Sequence, residues 1–433
     1  MKYISTRGKA PAATLLEAIR AGAAPDGGLY MPETIPSPDL PAGRTLHEFA
    51  AEWLAPFFAG DALESELGAI FKEAFDFPLP IVVPDPARPD FRVLELFHGP
   101  TGAFKDFGAR FLMACFDRIG DPSQPLTVLA ATSGDTGGAV GCAAEGRAAV
   151  RAVILYPQGR VSPFQELQLT CWADPVQALE VDGDFDDCQR LVKSAFADTD
   201  LSAVHRLTSA NSINIGRLLP QIAYTAWAAT QLHEETGEKP GFIIPTGNLG
   251  HGFAAIYARA MGAPIGPIQL VTNANRTLHN WHIGGDYSAA PSIATIANAM
   301  DVGAPSNFER LVHLPGELRG IDVDRVEDDA IRARIVAEYR ASGYVWCPHS
   351  ATAAEVYERL APARKERLWV AAATAHPYKF AEVIEPLIGR AIEPTPALAA
   401  ILGRASRKIS VPAQSEALAV ALEEPILAPA PAG

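Results

Sequence analysis

The sequence lacks any excess of basic residues. Lysine and arginine total 36 against 50 aspartate and glutamate residues, and the formal net charge is −14. A chain this acidic repels phosphate backbones, which argues against nucleic acid as a partner. A local pocket can still reverse the field, so an anionic small-molecule substrate is not excluded.

Long apolar runs and a leader pattern are also missing. No apolar run approaches the roughly 20 residues that a helix needs to span a bilayer. The first residues, MKYISTRGKAP, have neither the apolar core nor the cleavage pattern of a secretory signal. We expect a cytoplasmic protein with no membrane partner.

Cysteines are few, and their number is odd. No two of the five have the spacing of metal ligands, which favours reduced thiols over disulfides or a metal site. His279, His282 and Asp286 share one segment whose spacing allows a metal, but a solvated loop is the favoured interpretation. No metal is predicted.

What the chain does have is length and an ordinary apolar content. Its 433 residues, 48% of them apolar, suffice for two or three domains with a large core. Residues 1–45 are rich in glycine and proline, and residues 46–75 show helical spacing. The prolines between 78 and 89 mark a predicted domain boundary.

Beyond that boundary, short apolar strands alternate with helical segments and Gly-rich turns. This alternation predicts an α/β fold with a mostly parallel sheet, in which ligands sit at the carboxyl ends of the strands. The predicted strands cover residues 92–97, 126–131, 149–156, 241–244, 266–272 and 368–373.

Lys105 lies between Phe104 and Phe107, directly after a Gly/Pro/Thr turn. A desolvated lysine has a lowered pKa and a nucleophilic amine, as imine formation requires. The alternative is a surface lysine that lays its stem along the aromatic rings and keeps its amine in water.

Two Gly-rich turns follow predicted strands. In TGNLG, residues 246–250, the glycines and the start of the next helix let backbone N–H groups converge on an anion, although a plain strand-to-helix turn has the same pattern. In TSGDTG, residues 132–137, hydroxyl and N–H groups suit a carboxylate. The same residues are also suited to capping a helix.

These motifs stand among blocks that resemble one family. The segment ELFHGPTGAFKDFGA at 95–109 is similar to the lysine signature of the pyridoxal-phosphate (PLP) enzymes that include serine/threonine dehydratases. More narrowly, the chain resembles the threonine synthase family. The further blocks, in family order, are STRG, APDGGLYMPE, LTVLAATSGDTGGAV, VILYPQGRVSPFQE, DGDFDDCQ, NSINIGRLLPQ, PTGNLG, AMDVGAPSNFER and TAHPYKF.

The resemblance implies a fold-type-II PLP enzyme, with two open α/β domains, an extra N-terminal segment and PLP in the cleft. It implies domains at 1–90, 91–225 and 226–433. PLP is then held as a Schiff base by Lys105, with Thr374 at its ring nitrogen. The resemblance places the cofactor phosphate on Gly247, Asn248, Leu249 and Gly250, and the substrate α-carboxylate on Thr132, Ser133, Asp135 and Thr136.

A phosphorylated substrate needs further cations and hydroxyls. The family-like blocks offer Arg160 and Ser162 in one segment and Asn214 and Arg217 in another, with Ser212 and Gln165 as further contacts. His98 is a candidate proton shuttle or a structural hydrogen-bonding group. The chain departs from the family pattern at several positions: Arg160, Leu249, His251, Arg276 and Ala373. His251 is open to two interpretations, a solvated helix-start residue or an added phosphate contact.

The implied reaction converts O-phospho-L-homoserine and water to L-threonine and phosphate, with Lys105 moving protons at Cα, Cβ and Cγ. Two alternatives stay open, a PLP-dependent serine/threonine dehydratase and a degenerate paralogue that only binds PLP. The expected partner is the small-molecule substrate, and the expected assembly is a monomer or weak dimer.

Overall fold

The computed structural model of the protein describes residues 1–132 and 134–424. Its strands are β1 Tyr3–Ser5, β2 Tyr30–Pro32, β3 Ile81–Val82, β4 Phe91–Glu95, β5 Leu126–Ala131, β6 Val150–Pro157, β7 Val176–Asp182, β8 Leu207–Ser209, β9 Gly241–Pro245, β10 Ile268–Thr272, β11 Asp322–Arg325, β12 Trp369–Ala373 and β13 Ile409–Pro412.

Helices surround these strands. They are α1 Leu15–Ala21, α2 Leu46–Trp53, α3 Ala55–Phe58, α4 Leu67–Ala74, α5 Lys105–Ile119, α6 Asp135–Ala144, α7 Pro163–Thr170, α8 Phe185–Ala197, α9 Thr199–His205, α10 Ile215–Thr236, α11 Gly250–Ala260, α12 Thr277–His282, α13 Phe308–His313, α14 Asp328–Ser342, α15 Pro348–Arg359, α16 Pro362–Lys365, α17 Ala381–Ile388, α18 Pro396–Leu402 and α19 Ser415–Glu423. Short 3₁₀ turns cover Glu64–Glu66, Asn298–Met300, Gly316–Leu318 and Pro377–Phe380.

Within the described residues the strands form three sheets. β1 and β2 make a small antiparallel pair near the N-terminus. The second sheet has the order β11-β10-β9-β12-β4-β3 and is parallel except where β3 meets β4. The third, β13-β7-β6-β5-β8, is parallel throughout. The predicted α/β fold with mostly parallel sheets is confirmed.

The predicted strands are short and apolar because they are buried on both faces. All six residues of β5, LTVLAA, are buried, and so are all five of β9 and β12. Helices cover both faces of a parallel sheet, so its strands are continuous apolar runs rather than alternating ones. All six predicted strands are present, with ends shifted by a few residues at most.

The segment at 46–75, whose spacing predicted helical structure, contains three helices and a 3₁₀ turn. α2 ends at Trp53, and Pro56 occupies the first turn of α3. Gly60 then has a φ of 75°, in the left-handed region. Proline has no N–H for the helical ladder, so it starts a new helix here, and the left-handed Gly60 turns the chain before α4.

Sheet membership does not follow chain order. β4, the first strand after residue 90, lies in the six-stranded sheet, whereas β13, close to the C-terminal end of the described chain, joins the five-stranded sheet. The chain therefore passes between the two sheets more than once. The division at residues 90 and 225 remains a prediction. No helix in the described part of the chain is long and apolar enough to cross a bilayer.

Candidate active site

The loops after β4, β5, β8, β9 and β12 open on one cavity of about 420 Å³. These loops belong to both large sheets, and each follows the carboxyl end of its strand. This is where open parallel sheets place their ligands. The predicted site residues that line the cavity are Lys105, Thr132, Asp135, Thr136, Arg217, Gly247, Asn248, Leu249, Gly250 and Thr374.

Lys105 is the first residue of α5, and local bonds fix the turn before it. The Thr101 N–H and hydroxyl donate to the two oxygens of Asp106 at 2.9 and 2.6 Å. The Phe104 N–H donates to the Thr374 carbonyl at 2.9 Å. The lysine turn is therefore tied both to its own helix and to the loop after β12.

The amine of Lys105 lies in a mostly dry, charged environment. Its side chain is 16% exposed, and Nζ lies 4.8 Å from the centre of the Phe104 ring and 4.0 Å from Asp135 Oδ2. Burial lowers the pKa of Lys105, the Asp135 carboxylate opposes that shift, and the cations of Arg217 and Lys379 add to it. The alternative of a surface lysine with its amine in water is wrong.

The loop after β9 has the backbone shape of an anion site. Leu249 has a φ of 63°, a left-handed conformation that is costly for any residue other than glycine. A left-handed residue ahead of a helix turns successive N–H groups toward one concavity. At Gly247 an added Cβ would stand 2.8 Å from Met300 Cα, so only glycine fits the approach.

Several buried polar atoms around this loop have no partner within residues 1–132 and 134–424. They are Thr246 Oγ1, Arg217 Nε, Gln221 Oε1 and His251 Nδ1. A buried polar atom without a hydrogen bond is costly, so each indicates a missing partner. Their shared cavity therefore suits a ligand that carries oxygen atoms or a group of ordered waters.

Thr374 is held from both sides by its backbone. Its N–H donates to Ser350 Oγ at 2.9 Å, and its carbonyl accepts the Phe104 N–H. Its neighbour Ala373, a departure from the family pattern, is buried at the end of β12. Thr374 lines the same cavity as Lys105.

The loop after β5 supplies the start of α6. Thr132 Oγ1 accepts the N–H groups of Gly134 and Gly137, each at 3.0 Å, so this hydroxyl shapes the loop. Asp135 is buried and accepts from Gln165 Nε2 at 3.1 Å. Ser133 lies outside the described residues. Thr136 lines the cavity beside Asp135.

The predicted substrate-phosphate residues separate into two groups. Arg217 is buried in the cavity wall, where its Nη1 donates to the Ala210 carbonyl at 2.6 Å, and burial lowers the pKa of Arg217 to about 10. Ser212 also lines the cavity. These two are the part of the set that shares a cavity with Lys105.

Arg160, Ser162 and Asn214 are absent from the residues that line the cavity in the described chain. Arg160 is exposed, and Ser162 caps α7 through the Gln165 N–H. Asn214 caps α10, and its amide donates to the carbonyls of Ile19 and Ser209, both at 2.8 Å. The side chain of Asn214 thus stabilises the fold rather than facing a ligand.

The histidines have distinct positions. His251 is buried, not solvated, and stacks on Phe104 with ring centres 5.0 Å apart. Burial, and next the charge of Lys105, lowers the pKa of His251 to about 3, so the ring is neutral. His98 contacts Glu95 Oε2 at 2.7 Å and lies outside the lining residues of the described cavity.

The sequence analysis missed several residues in or beside the cavity, among them His349 and Lys379. His349 lines the cavity, and its Nε2 accepts the Ala299 N–H at 3.0 Å. Lys379 is fully buried, 3.3 Å from Asp135 Oδ1. The sequence signal for Lys379 was its position between two aromatic residues in HPYKF. Such a segment is readily buried, and a buried lysine needs an oppositely charged or hydrogen-bonding partner.

No group of three or more metal-ligating side chains forms a metal site in the parts of the chain that the structure describes. His282 Nε2 lies 3.9 Å from Asp322 Oδ1. The structure thus gives no support to a metal at His279, His282 and Asp286.

Comparison with known proteins agrees with this geometry. A family model described as pyridoxal-phosphate dependent enzyme matches residues 91–374, and models described as threonine synthase N terminus and threonine synthase, C-terminal match residues 2–75 and 350–421. Threonine synthase of Serratia marcescens is 36% identical over 409 residues, which cover 92% of this chain and 94% of that protein.

Solved structures give the same picture. Threonine synthase from Escherichia coli superposes with a TM-score of 0.89 at 33% identity, over 98% of this chain and 99% of that one. A PLP-bound threonine synthase from Brucella melitensis has a TM-score of 0.89 at 32% identity and covers 98% of each chain.

The residues present fit PLP. Lys105 offers a buried amine for its aldehyde, the loop at 247–250 offers N–H groups for its phosphate, and Thr374 offers a hydroxyl for its ring. The unpartnered Thr246 hydroxyl and Arg217 Nε at the same cavity are donors that match the oxygen atoms such a ligand carries. The chain therefore belongs to the threonine synthase family of pyridoxal-phosphate-dependent enzymes.

Proposed function

We propose that this enzyme converts O-phospho-L-homoserine and water to L-threonine and phosphate, and that it works in the cytoplasm. One observation carries the proposal. A single cavity combines Lys105 with a buried arginine, Arg217, whose Nε has no partner among the described residues. A substrate that bears its own phosphate needs a fixed cation at that place, which a simple hydroxy amino acid does not.

The cofactor would be held at three points. The backbone N–H groups at 247–250 and the side chain of Asn248 would take its phosphate, Lys105 its aldehyde carbon and Thr374 its ring nitrogen. When bound, PLP supplies an electron sink for negative charge at the substrate's α-carbon. Thr374 would offer the ring nitrogen a neutral hydroxyl in place of a carboxylic acid, which would favour less positive charge on that nitrogen. More of the proton transfer would then depend on Lys105.

The substrate would lie between two anion-binding regions. Its α-carboxylate would meet the start of α6, where Thr132 orders the loop and Thr136 offers a hydroxyl. The carboxylate of Asp135 repels the carboxylate of the substrate. Asp135 can therefore belong to the substrate-binding residues only because Lys105 and Lys379 lie beside it and offset its charge. The substrate phosphate would meet Ser212 on the loop after β8 and Arg217 in the first turn of α10.

Lys105 would carry the protons. Burial and two nearby cations favour its neutral amine, which is the form that accepts a proton from Cα. The same amine then moves protons at Cβ and Cγ as phosphate leaves from Cγ. Water finally adds at Cβ and completes the product.

The test compares two products from the purified enzyme. Phosphate release from O-phospho-L-homoserine, coupled to threonine formation, is the expected result. Formation of a 2-oxoacid from threonine or serine with no phosphate release would identify a dehydratase. A protein that shows the visible PLP band but neither reaction would be a degenerate binder. Either of these outcomes would overturn the proposal.

A further inference from the structure

Lys379 lies in the 3₁₀ turn Pro377–Phe380, and its side chain is 0% exposed. Its ammonium donates to the Thr101 carbonyl at 2.8 Å and to Gln168 Oε1, and it lies 3.3 Å from Asp135 Oδ1. Two of the three ammonium donors of Lys379 thus have hydrogen-bond acceptors, and the Asp135 carboxylate is its ion-pair partner. All three of these contacts lie inside the protein.

Gln168 strengthens this arrangement. Its Nε2 donates to the same Thr101 carbonyl at 2.9 Å, while its Oε1 accepts from Lys379. Thr101 in turn donates twice to Asp106, the residue that follows Lys105. The lysine in the 3₁₀ turn is therefore connected to the turn that presents Lys105.

Asp135 lies between the two lysines. One of its oxygens is 3.3 Å from Lys379 Nζ and the other is 4.0 Å from Lys105 Nζ. Burial alone would raise the pKa of Asp135, but the Lys379 ammonium, and after it Lys105, hold that pKa well below its usual range. Asp135 is therefore a carboxylate, and its closer cation is Lys379.

Other charges near Lys105 do not replace this carboxylate. Arg217 adds a second cation, and its guanidinium packs against the α5 backbone, with Nε 2.8 Å from where a Gly108 Cβ would stand. His251 and His349 are both buried and neutral. Among the described residues that act on Lys105, Asp135 is the carboxylate and Arg217 and Lys379 are the cations. Burial raises the pKa of the nearby Cys347 thiol, which favours its neutral form.

We propose that Lys379 is a positioning residue that takes up the charge of Asp135 and so leaves the amine of Lys105 able to give up its proton. Without Lys379, the buried carboxylate has only Lys105 to pair with, and the pair keeps Lys105 protonated. The inference rests on the proposed role of Lys105 but not on the identity of the substrate.

The test is the pH dependence of Lys105 acylation in the full-length chain before PLP is added, measured by mass spectrometry with the exposed Lys72 as internal reference. In Lys379→Met we expect the half-maximal pH for Lys105 to rise by about one unit or more, as for a cation that gains an opposite charge. In Lys379→Arg, which keeps the cation, the half-maximal pH should stay close to that of the native chain.

Three further variants keep the test decisive. Asp135→Asn combined with Lys379→Met should bring the half-maximal pH back down, because the freed carboxylate is gone. Lys408→Met removes a lysine that pairs with Glu166 and Glu180 away from the cavity, and it should change nothing at Lys105. Lys379→Gln repeats the test without charge if the methionine variant does not fold.

Two results would overturn the inference. An unchanged half-maximal pH in both neutral variants would show that Asp135 does not transmit the loss of Lys379. An equal rise in Lys379→Arg would show that packing, not charge, is responsible. Both results are independent of the proposed function, since no substrate is present.

Discussion

The side-chain amide of Asn248 donates a hydrogen bond to Ser212 Oγ at 2.6 Å. Asn248 follows β9 in the six-stranded sheet, and Ser212 follows β8 in the five-stranded sheet. The bond therefore joins the loop proposed to hold the cofactor phosphate to the loop proposed to hold the substrate phosphate. We expect a change at Asn248 or Ser212, which make this bond, to affect both ligands.

Arg217 is predicted to be the principal cation for the substrate phosphate. Arg217→Met should lower kcat/KM for O-phospho-L-homoserine about 100-fold, or about 3 kcal/mol, because a buried charge-assisted contact is lost. PLP binding should be affected much less. Steady-state kinetics and an absorbance titration with PLP measure the two quantities.

Arg160→Met is the matched control for that variant. Arg160 is exposed and does not line the described cavity, so its removal should change kcat/KM by about twofold or less, as is usual for a surface substitution. If both arginine variants lost the same activity, the placement of the substrate phosphate at Arg217 would be contradicted.

Gly247 is predicted to be essential for holding PLP. In Gly247→Ala the new Cβ would stand 2.8 Å from Met300 Cα, so the loop must move and its N–H groups lose their convergence. We expect PLP affinity to fall by about tenfold or more, since losing even one charge-assisted hydrogen bond costs that much. Fluorescence titration of the cofactor-free chain measures it.

Gly316→Ala serves as the control for an added methyl group. A Cβ at Gly316 meets no atom within 4 Å, and the residue lies in a short 3₁₀ turn away from the cavity. Its PLP affinity should equal that of the native chain. A normal affinity in Gly247→Ala as well would mean that the loop does not contact the phosphate closely.

The fold and the cofactor end of the site could be predicted because their signals are local. A buried parallel strand followed by a Gly-rich turn is a pattern that a short stretch of sequence contains. Thr132, Asp135 and Thr136 of one such turn, and the turn at 246–250, line the cavity. The helical spacing of residues 46–75 is also a local signal, but it does not show that a new helix begins with Pro56 in its first turn.

The residues that hold the substrate were harder to predict from the sequence, because the direction of each loop side chain decides whether it lines the cavity. Asn214 and Arg217 are three residues apart on the same turn, yet one caps a helix and the other lines the cavity. Arg160 belongs to a family-like block but is exposed. The partnership of Lys379 with Asp135 joins distant parts of the chain, and no local pattern reports such a contact.

His251 is predicted to make the protein less stable in acid. Its folded-state pKa of about 3 lies below the ordinary value of 6.5, so the unfolded chain binds the proton more readily between those values. Stability is therefore lost as the pH falls from about 6.5 toward 3, by at most about 1.4 kcal/mol per pH unit for one group. His251→Phe keeps an aromatic ring against Phe104 and should make this loss smaller.

Urea unfolding of the two proteins at several pH values between 4 and 7 measures the effect. The free energy of unfolding should vary less with pH in His251→Phe than in the native chain. An identical dependence would mean that the imidazole takes up its proton at the same pH in the folded protein as in the unfolded chain. His251→Ala controls for the stack itself, because it opens a cavity and should cost about 2–3 kcal/mol at pH 7.

Asp301 is predicted to make the folded protein less stable as the pH rises, which is opposite to the effect of His251. Burial raises the pKa of Asp301 to about 6, although hydrogen bonds from Thr295 and Asn273 oppose the shift. Because the folded pKa exceeds the ordinary value of 3.8, its contribution to stability is present below about pH 3.8 and is lost as the pH rises through 6.

Asp301→Asn removes this opposing contribution. The free energy of unfolding should then rise more steeply with pH between 4 and 7 than in the native chain, whereas His251→Phe makes the same curve flatter. Asp286→Asn, at an exposed position on the preceding loop, controls for the loss of one negative charge. A slope in Asp301→Asn equal to that of the control would mean that the Asp301 carboxyl is ionised at pH 5, and that the asparagine and threonine donors around it, not burial, set its charge.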